Sequence, residues 1–260
     1  MRSEPNPWGI PGYTADSYGE SFADVYDEWY ADLPDHDFIG SVAASLPDRP
    51  ARVLELGVGT GRLVAMLRSM RPHADTVVGV DSSESMLRIA RARNLGDPVE
   101  LLRTDFSVDL PAGPFDCVFV GYNTFFNLPD HESMRRCMEL VAARLAPGAL
   151  FHIDVVDPHG IDAGTSTSEI SRPDGTIVRS ITVHDPSAQR VTGRFVELVD
   201  GSLGRVREWS VRYATPEQLA AMAGSVGLVP AVDAVEVVGS GRDDASVRHV
   251  SAWRVAPVSF

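Results

Sequence analysis

Short apolar segments alternate along the middle of the chain with stretches whose apolar residues recur at helical spacing. Five of the apolar segments read as strands, at residues 51–57, 76–81, 99–105, 115–122 and 148–156. Between them, apolar residues three or four positions apart are typical of helices that pack on one side. Strands that are apolar along their whole length and alternate with helices indicate a parallel sheet covered on both faces. The pattern predicts a doubly wound, Rossmann-like α/β fold.

The amino-terminal part has a different pattern. Prolines and glycines crowd residues 1–12 and predict a loose arm without regular structure. Residues 17–30 follow as one predicted helix, and its aromatic side chains share a face; they are Tyr18, Phe22, Tyr26, Trp29 and Tyr30. This face either packs on the core or forms a wall partly open to a ligand. A second helix is predicted over residues 38–46.

The carboxy-terminal half interrupts the alternation. Residues 165–215 contain three β-rich runs with no helical pattern between them, which predicts an inserted layer of antiparallel hairpins. A helix over 216–226, an apolar run at 235–238 and a last strand over 246–255 then complete the pattern. In the helix before the fifth core strand, the apolar spacing extends to Leu145, and Pro147-Gly148 is predicted to end it.

Charge and composition narrow the possible functions. The chain has 36 acidic and 23 basic residues and a formal net charge of −13, which argues against nucleic acid or an anionic membrane as a partner. Every basic residue other than histidine is an arginine, so mechanisms that need a lysine Schiff base or a phosphate-loop lysine are excluded. Cys117 and Cys137 lie in apolar patterns and are expected to be buried free thiols. With no targeting segment and no apolar run of about 20 residues, we expect a cytoplasmic protein.

The segment VLELGVGTGRL is the most informative one in the sequence. Glu55 closes a strand there, and Gly57, Gly59 and Gly61 form a turn that leads into a helix. Glycines allow positive φ and a close approach of backbone to ligand, so the turn is predicted to cradle a cofactor. A dinucleotide-binding turn needs a small residue where this chain has Arg62, which disfavours a nicotinamide cofactor.

Two further strand ends carry acids that suit an adenosine cofactor. Asp81 ends the second strand, where a carboxylate can accept hydrogen bonds from both ribose hydroxyls. Asp105 ends the third strand and can receive an exocyclic amino group, while Phe106 offers a ring to the adenine face. In such folds these strand ends meet at one edge of the sheet, where ligands bind.

Together these motifs resemble the class I S-adenosylmethionine-dependent methyltransferases. The resemblance rests on ELGVGTG, GVDSSESML, RTDF and LAPGALFHIDV, and it covers residues 51–156. It implies a seven-stranded sheet whose last strand inserts antiparallel beside the fifth. It also implies S-adenosylmethionine as the cofactor, with the three glycines around its methionine part, Asp81 on the ribose, and Asp105, Phe106 and Met86 around the adenine. We assign four more residues to the cofactor site, namely Tyr26, Glu55, Ser82 and Tyr122.

Outside this core, YGESFADVYDEWY, GYNTFFNLPDHES and the β-insertion resemble the small-molecule N-methyltransferases of antibiotic biosynthesis. These include enzymes that act on amino sugars and those of lincosamide biosynthesis, which methylate a prolyl nitrogen. The resemblance implies a small-molecule amine substrate. Methyl transfer mainly needs alignment in a dry pocket, and desolvation can supply a neutral amine without a dedicated base. The alternatives are O-methylation of a sugar or phenol, which for an aliphatic hydroxyl needs a base, and a non-catalytic protein that binds the cofactor.

Candidate catalytic and substrate residues lie in two segments. Tyr18, on the aromatic helix, is predicted to fold over the cofactor and face its sulfonium. His131 follows the fourth strand closely enough to approach the substrate. The loop at residues 122–127 is predicted to contact the acceptor through Asn123, Phe125, Phe126 and Asn127. Phe126 is also predicted to lie near the reacting atoms. The two phenylalanines wall the pocket or fill the core beneath the insertion.

No metal-ligand spacing is visible, so no metal is expected. Asp154 and Asp157 form an acidic pair between His152 and His159, with no third ligand close by in sequence. The chain therefore divides into an arm with aromatic lid helices at 1–46, a cofactor-binding core at 47–164, a β-insertion at 165–215 and a carboxy-terminal completion of the core sheet at 216–260. The insertion is expected to cap the pocket or to pair with a second subunit in a homo-oligomer.

Overall fold

A computed structural model describes residues 6–71, 73, 75–156, 162–172, 175–231, 235–238 and 247–257, the segment 235–238 as backbone alone. Within these ranges the strands form two sheets, one of eight strands and one of four. The helices lie at Ser17–Phe22 (α1), Tyr26–Trp29 (α2), His36–Ser45 (α3), Arg62–Met70 (α4), Glu84–Ala92 (α5), His131–Ala142 (α6) and Pro216–Ser225 (α7). No helix among the described residues is both long and apolar enough to cross a bilayer.

The larger sheet has the parallel core that the sequence predicted. Its first five strands are Arg52–Leu56 (β1), Thr76–Asp81 (β2), Val99–Arg103 (β3), Phe115–Val120 (β4) and Leu145–Val156 (β5). They pair in parallel in the order β5-β4-β1-β2-β3. Because the chain enters β1 in the middle and winds outwards in both directions, the carboxyl ends of β1, β2 and β4 meet above a single cleft.

The last strand, Val247–Val255 (β12), inserts antiparallel beside β5 as predicted, with Val250 opposite Asp154. Two short strands complete this edge. Leu228–Pro230 (β10), which the sequence did not reveal, and Val235–Val238 (β11) both pair with β12. A three-residue strand is too short to give a period-two pattern, which explains why it was missed.

Two predicted helix boundaries are wrong. The aromatic segment forms two short helices, because the chain turns at residues 23–25 and Val25 donates its amide to the Phe22 carbonyl at 3.0 Å. The turn places the Trp29 ring edge-on to the buried Phe22 ring, 6.0 Å away. Helix α6 ends at Ala142 instead of extending to Pro147, and Leu145 begins β5 opposite Phe115. Pro147 and Gly148 lie where the register of β5 shifts, and a proline is tolerated at such an irregularity.

The insertion is a four-stranded antiparallel sheet, which confirms the predicted hairpins. Its strands are Gly164–Ser171 (β6), Ile177–Asp185 (β7), Arg190–Val199 (β8) and Ser202–Arg212 (β9), paired in chain order. Strand β6 was not predicted as a strand of its own, because its sequence GTSTSEIS is polar and all eight residues are exposed.

The amino-terminal arm, here residues 6–16, is not loose as predicted. Its proline-rich backbone is held by side chains, since the Asn6 amide donates to the Tyr13 carbonyl at 2.9 Å and Ser210 Oγ donates to the Trp8 carbonyl at 2.6 Å. The Trp8 indole in turn donates to the Asn127 carbonyl at 3.0 Å. These bonds lay the arm between the insertion sheet and the carboxyl edge of the core.

Candidate functional site

A cleft of about 650 Å³, partly open to solvent, lies where the arm crosses the carboxyl ends of β1, β2 and β3. The core supplies the glycine turn after β1 and the acids after β2 and β3. The arm and α1 supply Trp8, Tyr18 and Gly19, and the turn after β4 supplies Thr124 and Asn127. The cleft wall combines apolar and polar side chains, as small-molecule sites usually do. The fold thus brings together three of the predicted strand ends and covers them with amino-terminal residues.

The glycine turn lies at the floor of the cleft. Gly57 has φ +67°, and a Cβ there would lie 2.2 Å from Thr124 Cγ2, so no larger residue fits against the turn after β4. Gly59 lines the cleft and donates its amide to Asp81 Oδ2 at 2.8 Å. Gly61 is not among the lining residues: its φ of +79° starts α4, and its α-carbon faces Leu95. Its place beside the ligand stays a prediction, and what the structure shows is its position at the start of α4.

Asp81 and Ser82 occupy the junction between β2 and α5. Besides the Gly59 amide, Asp81 accepts the Ser83 amide through Oδ1 at 2.8 Å. Burial raises the pKa of Asp81 to about 6, while these backbone hydrogen bonds oppose the rise. Two backbone donors fix the carboxylate in the cleft wall and leave it further lone pairs, which can accept two hydroxyl groups from a ligand.

The far end of the cleft combines a carboxylate with apolar surfaces. Asp105 follows β3 and accepts the Ser107 amide at 2.8 Å and the Ser107 hydroxyl at 2.7 Å through Oδ1. Phe106 and the buried Met86 line the same end. A planar apolar ring that carries an amino group, such as adenine, matches this combination.

A smaller cavity of about 260 Å³ adjoins the cleft and shares Tyr26, Gly57 and Thr124 with it. The side chains with polar groups in its wall also include Glu55, Arg62 and Tyr122. Among the described residues, buried Glu55 Oε2 and Arg62 Nε have no hydrogen-bond partner. Burial raises the pKa of Glu55 well above its usual value, and the Arg62 charge opposes this. An acceptor and a donor without partners fit a ligand group that carries both an ammonium and a carboxylate.

Tyrosine rings wall the junction of the two cavities. The hydroxyls of Tyr18 and Tyr30 lie 2.8 Å apart, the Tyr26 and Tyr30 ring centroids 4.6 Å apart, and those of Tyr30 and Tyr122 5.7 Å apart. Burial raises the pKa of Tyr26, and a hydrogen bond with Arg62 opposes the rise. Neutral phenol rings offer π faces and oxygen lone pairs, both of which attract a cationic group.

The turn after β4 differs from its prediction. Phe125 and Phe126 are 0% and 1% exposed and belong to the main core cluster, so the prediction that they wall the pocket is corrected. The turn Thr124–Asn127 is a 3-10 helix, and it directs both rings inwards beneath the insertion. Asn123, at φ +62°, anchors this turn by donating its amide to the Asp154 carbonyl and accepting the Val156 amide. Only Asn127 of the four predicted substrate residues lines the cleft.

The predicted histidine is also engaged elsewhere. His131 is the first residue of α6, and its Nε2 donates to the Tyr213 carbonyl at 2.9 Å. It is not among the lining residues of either cavity, and its approach to the substrate stays a prediction. His152 lies 3.1 Å from Ser45 Oγ, and burial lowers its pKa to about 4. Asp157 and His159 lie outside the described residues.

Sequence reasoning missed several residues of the site. Trp8 lies in a segment that was predicted to be loose, and its partners Asn127 and Ser210 are 119 and 202 positions away, so no local pattern could reveal it. Arg62 was read only as evidence against a dinucleotide, although its position next to the glycine turn was a usable signal. Within the described ranges, no group of three or more histidine, cysteine or acidic side chains is placed to hold a metal ion.

Comparison with known proteins agrees with this geometry. A family model described as a methyltransferase domain matches residues 53–148. The structure of the CcbJ methyltransferase from Streptomyces caelestis is 33% identical, with a TM-score of 0.79, and the match covers 94% of this chain and 100% of that one. The sugar N-methyltransferase KedS8 from Streptoalloteichus, 16% identical with a TM-score of 0.67 over 95% and 99% of the two chains, shares the fold.

A trans-aconitate 2-methyltransferase from Deinococcus radiodurans is 32% identical over 63% of this chain and 62% of its own length. The chain thus spans about half to two thirds of the curated relatives that it matches first. Fold, site and similarity define a Rossmann-like methyltransferase, and the chain belongs to the S-adenosylmethionine-dependent methyltransferases. The family assignment supports S-adenosylmethionine as the cofactor, as the sequence predicted.

The residues present fit this cofactor. Glu55 Oε2 and Arg62 Nε are the unpartnered groups that its ammonium and carboxylate would satisfy. Asp81 would hold the ribose, and Asp105, Phe106 and Met86 would surround the adenine. When bound, the cofactor supplies an electrophilic methyl group on a sulfonium.

Proposed function

We propose that this protein transfers a methyl group from S-adenosylmethionine to an amine nitrogen of a small natural product. The observation that carries the proposal is the composition of the cleft wall near the tyrosine cluster. Aromatic rings and acids line it, and in the described part of the chain no histidine lines either cavity. Such a wall favours a cationic amine over a neutral alcohol, and the net charge of −13 acts in the same direction.

The proposed reaction needs alignment more than acid–base chemistry. An alkylammonium with a pKa of about 10 must lose a proton before it can attack. Burial among rings lowers its pKa by desolvation, so the chain needs no dedicated base. An aliphatic hydroxyl, by contrast, requires a base within hydrogen-bond reach. His131 is bonded to a carbonyl, and burial keeps Tyr26 a neutral phenol.

In the transfer step, the neutral nitrogen of the acceptor donates its lone pair to the methyl carbon. The cofactor would supply the methyl group and keep the electron pair of the broken carbon–sulfur bond, which leaves S-adenosylhomocysteine, and the methylated ammonium would release its proton to water. The residues of this chain contribute by position. Tyr18 and Tyr26 offer oxygen atoms and ring faces beside the reacting cation, and the arm with Trp8 limits the access of water.

The acceptor class is the finer part of the proposal. The segments YGESFADVYDEWY and GYNTFFNLPDHES resemble N-methyltransferases of antibiotic biosynthesis, and the similarity to CcbJ methyltransferase over 94% of this chain supports the same interpretation. We therefore propose an amine of a small natural product as the acceptor, first the prolyl nitrogen of an N-demethyl lincosamide and second the amino group of an amino sugar.

The test compares matched acceptors. The purified protein is incubated with S-adenosylmethionine and either N-demethyl lincosamides or amino sugars, and in parallel with analogues that carry a hydroxyl in place of the amine. Formation of S-adenosylhomocysteine together with one added methyl on the amine, and none on the hydroxyl analogue, is the expected result. The Asp81→Ala variant should lose turnover with every acceptor.

Two outcomes would contradict the proposal in different ways. Methylation of the hydroxyl analogues but not of the amines would assign the protein to O-methylation. Binding of S-adenosylmethionine without turnover of any acceptor would identify a protein that only binds the cofactor. Calorimetric titration with S-adenosylhomocysteine separates this second case from a misfolded preparation.

A further inference from the structure

A buried cluster of four charged side chains lies directly behind the smaller cavity. Asp35, Asp154 and Arg248 are at most 3% exposed, and Arg62 is 15% exposed. They come from four separate parts of the chain: the loop before α3, the end of β5, strand β12 and the start of α4. We call these four residues the buried ion cluster. Two acids face two arginines, so the cluster is electrically balanced on its own.

Arg248 is the centre of this cluster. Its Nε donates to Asp154 Oδ1 at 2.8 Å, and its Nη2 donates to Asp35 Oδ1 at 3.1 Å and also to Asp154 Oδ2. The second oxygen of Asp35 accepts the Nη1 of Arg62. A continuous chain of ion pairs therefore runs from the last core strand to the arginine that lines the smaller cavity.

The same centre also contacts a second residue that lines this cavity, Tyr122. Asp154 Oδ2 accepts the Tyr122 amide at 3.0 Å, and the Arg248 guanidinium carbon lies 5.5 Å from the centroid of the Tyr122 ring. Tyr122 has φ +35°, an uncommon conformation for a residue other than glycine. Arg248 and Asp154 thus hold Tyr122 in place, while Arg248 and Asp35 hold Arg62.

Stability alone does not explain this arrangement. Removing two ion pairs from water has a large free-energy cost, and apolar residues of similar volume often stabilise a core as well or better. The cluster instead fixes the orientation of the Arg62 guanidinium. A guanidinium presents its donors in one plane, so the contact between Nη1 and Asp35 also fixes the orientation of the unpartnered Nε of Arg62, a residue that lines the cavity.

We propose that Asp35, Asp154 and Arg248 are positioning residues for the amino-acid end of the cofactor. These three residues line neither cavity. They act by holding Arg62 and Tyr122, which line the smaller one. The adenosine end is held by other residues, Asp81 and Asp105, which are outside the cluster. The inference rests on the proposed use of S-adenosylmethionine and predicts that disturbing the cluster weakens only one end of the bound molecule.

The experiment uses two ligands that differ at that end. S-adenosylhomocysteine carries the amino acid, and 5′-methylthioadenosine lacks it. In calorimetric titrations of the full chain, Arg248→Met is expected to weaken S-adenosylhomocysteine binding about tenfold or more and to leave 5′-methylthioadenosine within about twofold. The matched control is Arg71→Met, which removes another buried arginine, paired with Asp75 at the other end of α4, and should change neither affinity.

Asp35→Asn is the milder second variant, used in case Arg248→Met does not fold. It keeps the volume of the side chain, removes the charge and should show the same selective loss. Equal weakening of both ligands, or no weakening of either, would overturn the inference and leave a structural role. If the wild-type protein binds neither ligand, the proposed function itself fails, so the two failures are distinguishable.

Discussion

At the scale of single residues, Asp81 and Glu55 differ in the hydrogen bonds that their carboxyl groups accept. Asp81 is fixed by two backbone amides, whereas buried Glu55 keeps an oxygen without a partner among the described residues. The sequence predicted both positions, because each acid ends a strand beside the glycine turn. It could not predict the partners, since these come from the tertiary arrangement of neighbouring turns.

The pKa of Asp81 leads to a pH prediction. Its value of about 6 lies above the usual value, so the carboxylate gains a proton as the pH falls through 6 and can no longer accept two ribose hydroxyls. Affinity for S-adenosylhomocysteine should fall by up to about tenfold per pH unit below that point. Calorimetry between pH 5 and 8 measures this, and Asp81→Asn should lack the step near pH 6. A step of the same size in the variant would contradict the assignment.

Phe126 provides a second residue-scale test, because two roles were open from the sequence. A ring that fills the core should cost about 3–5 kcal/mol of unfolding free energy when Phe126 is replaced by alanine. Denaturant unfolding measures this loss. Val108→Ala, at a side chain that is 60% exposed, is the control and should change stability little. A stable Phe126→Ala variant with weakened acceptor binding would restore the original hypothesis that this ring walls the pocket.

At the scale of elements, the short helix α1 depends on its contact with α5. Glu20 accepts the Ser83 hydroxyl at 2.8 Å and the Ser85 amide at 3.0 Å, and hydrogen bonds from both serines lower its pKa against the effect of burial. Gly19 allows the contact, since a Cβ there would lie 2.3 Å from Ser83 Cβ. Periodicity predicted helical structure here, but the break after Phe22 depends on packing between the two sheets.

Gly19→Ala should therefore displace α1 and with it Tyr18. We expect weaker binding of S-adenosylhomocysteine, because the ring no longer covers the cleft, and a changed tryptophan fluorescence. Gly40→Ala is the matched control, because Gly40 lies in α3, where a Cβ would meet nothing within 4 Å. That variant should bind normally and be slightly more stable, since alanine favours a helix over glycine by about 1 kcal/mol. Normal binding by Gly19→Ala would show that α1 is not needed to cover the site.

At the scale of the whole molecule, the insertion sheet has two different sides. One side carries the buried Arg207, which binds Asp24 and Glu197 and so attaches the amino-terminal helices. Elsewhere on this sheet, several aliphatic residues are 43–69% exposed; they are Ile170, Val183, Val199, Leu203 and Val206. The sequence predicted three of these four strands and missed β6, and only the tertiary structure shows which residues face solvent.

These exposed residues are where we expect the predicted homo-oligomer to form its contact. Apolar side chains gathered on one sheet favour association. We expect sedimentation velocity to show a species larger than the 28.1 kDa chain, and Leu203→Glu with Val206→Glu to shift it towards the monomer. Arg179→Glu, on β7 of the same sheet, is the control for an added negative charge. A wild-type protein that sediments as a monomer at micromolar concentration would contradict the prediction.

The bond between Ser210 and the Trp8 carbonyl has a consequence for the time at which the protein becomes functional. A ribosome adds about 5–20 residues per second, so residue 210 follows residue 8 by about 10–40 s. Arg248, which holds Arg62 through Asp35, follows later still. A growing chain therefore completes its glycine turn long before it can close the cleft. Nascent chains that end before residue 210 should retain the cofactor poorly, because the arm over the cleft is not yet held in place.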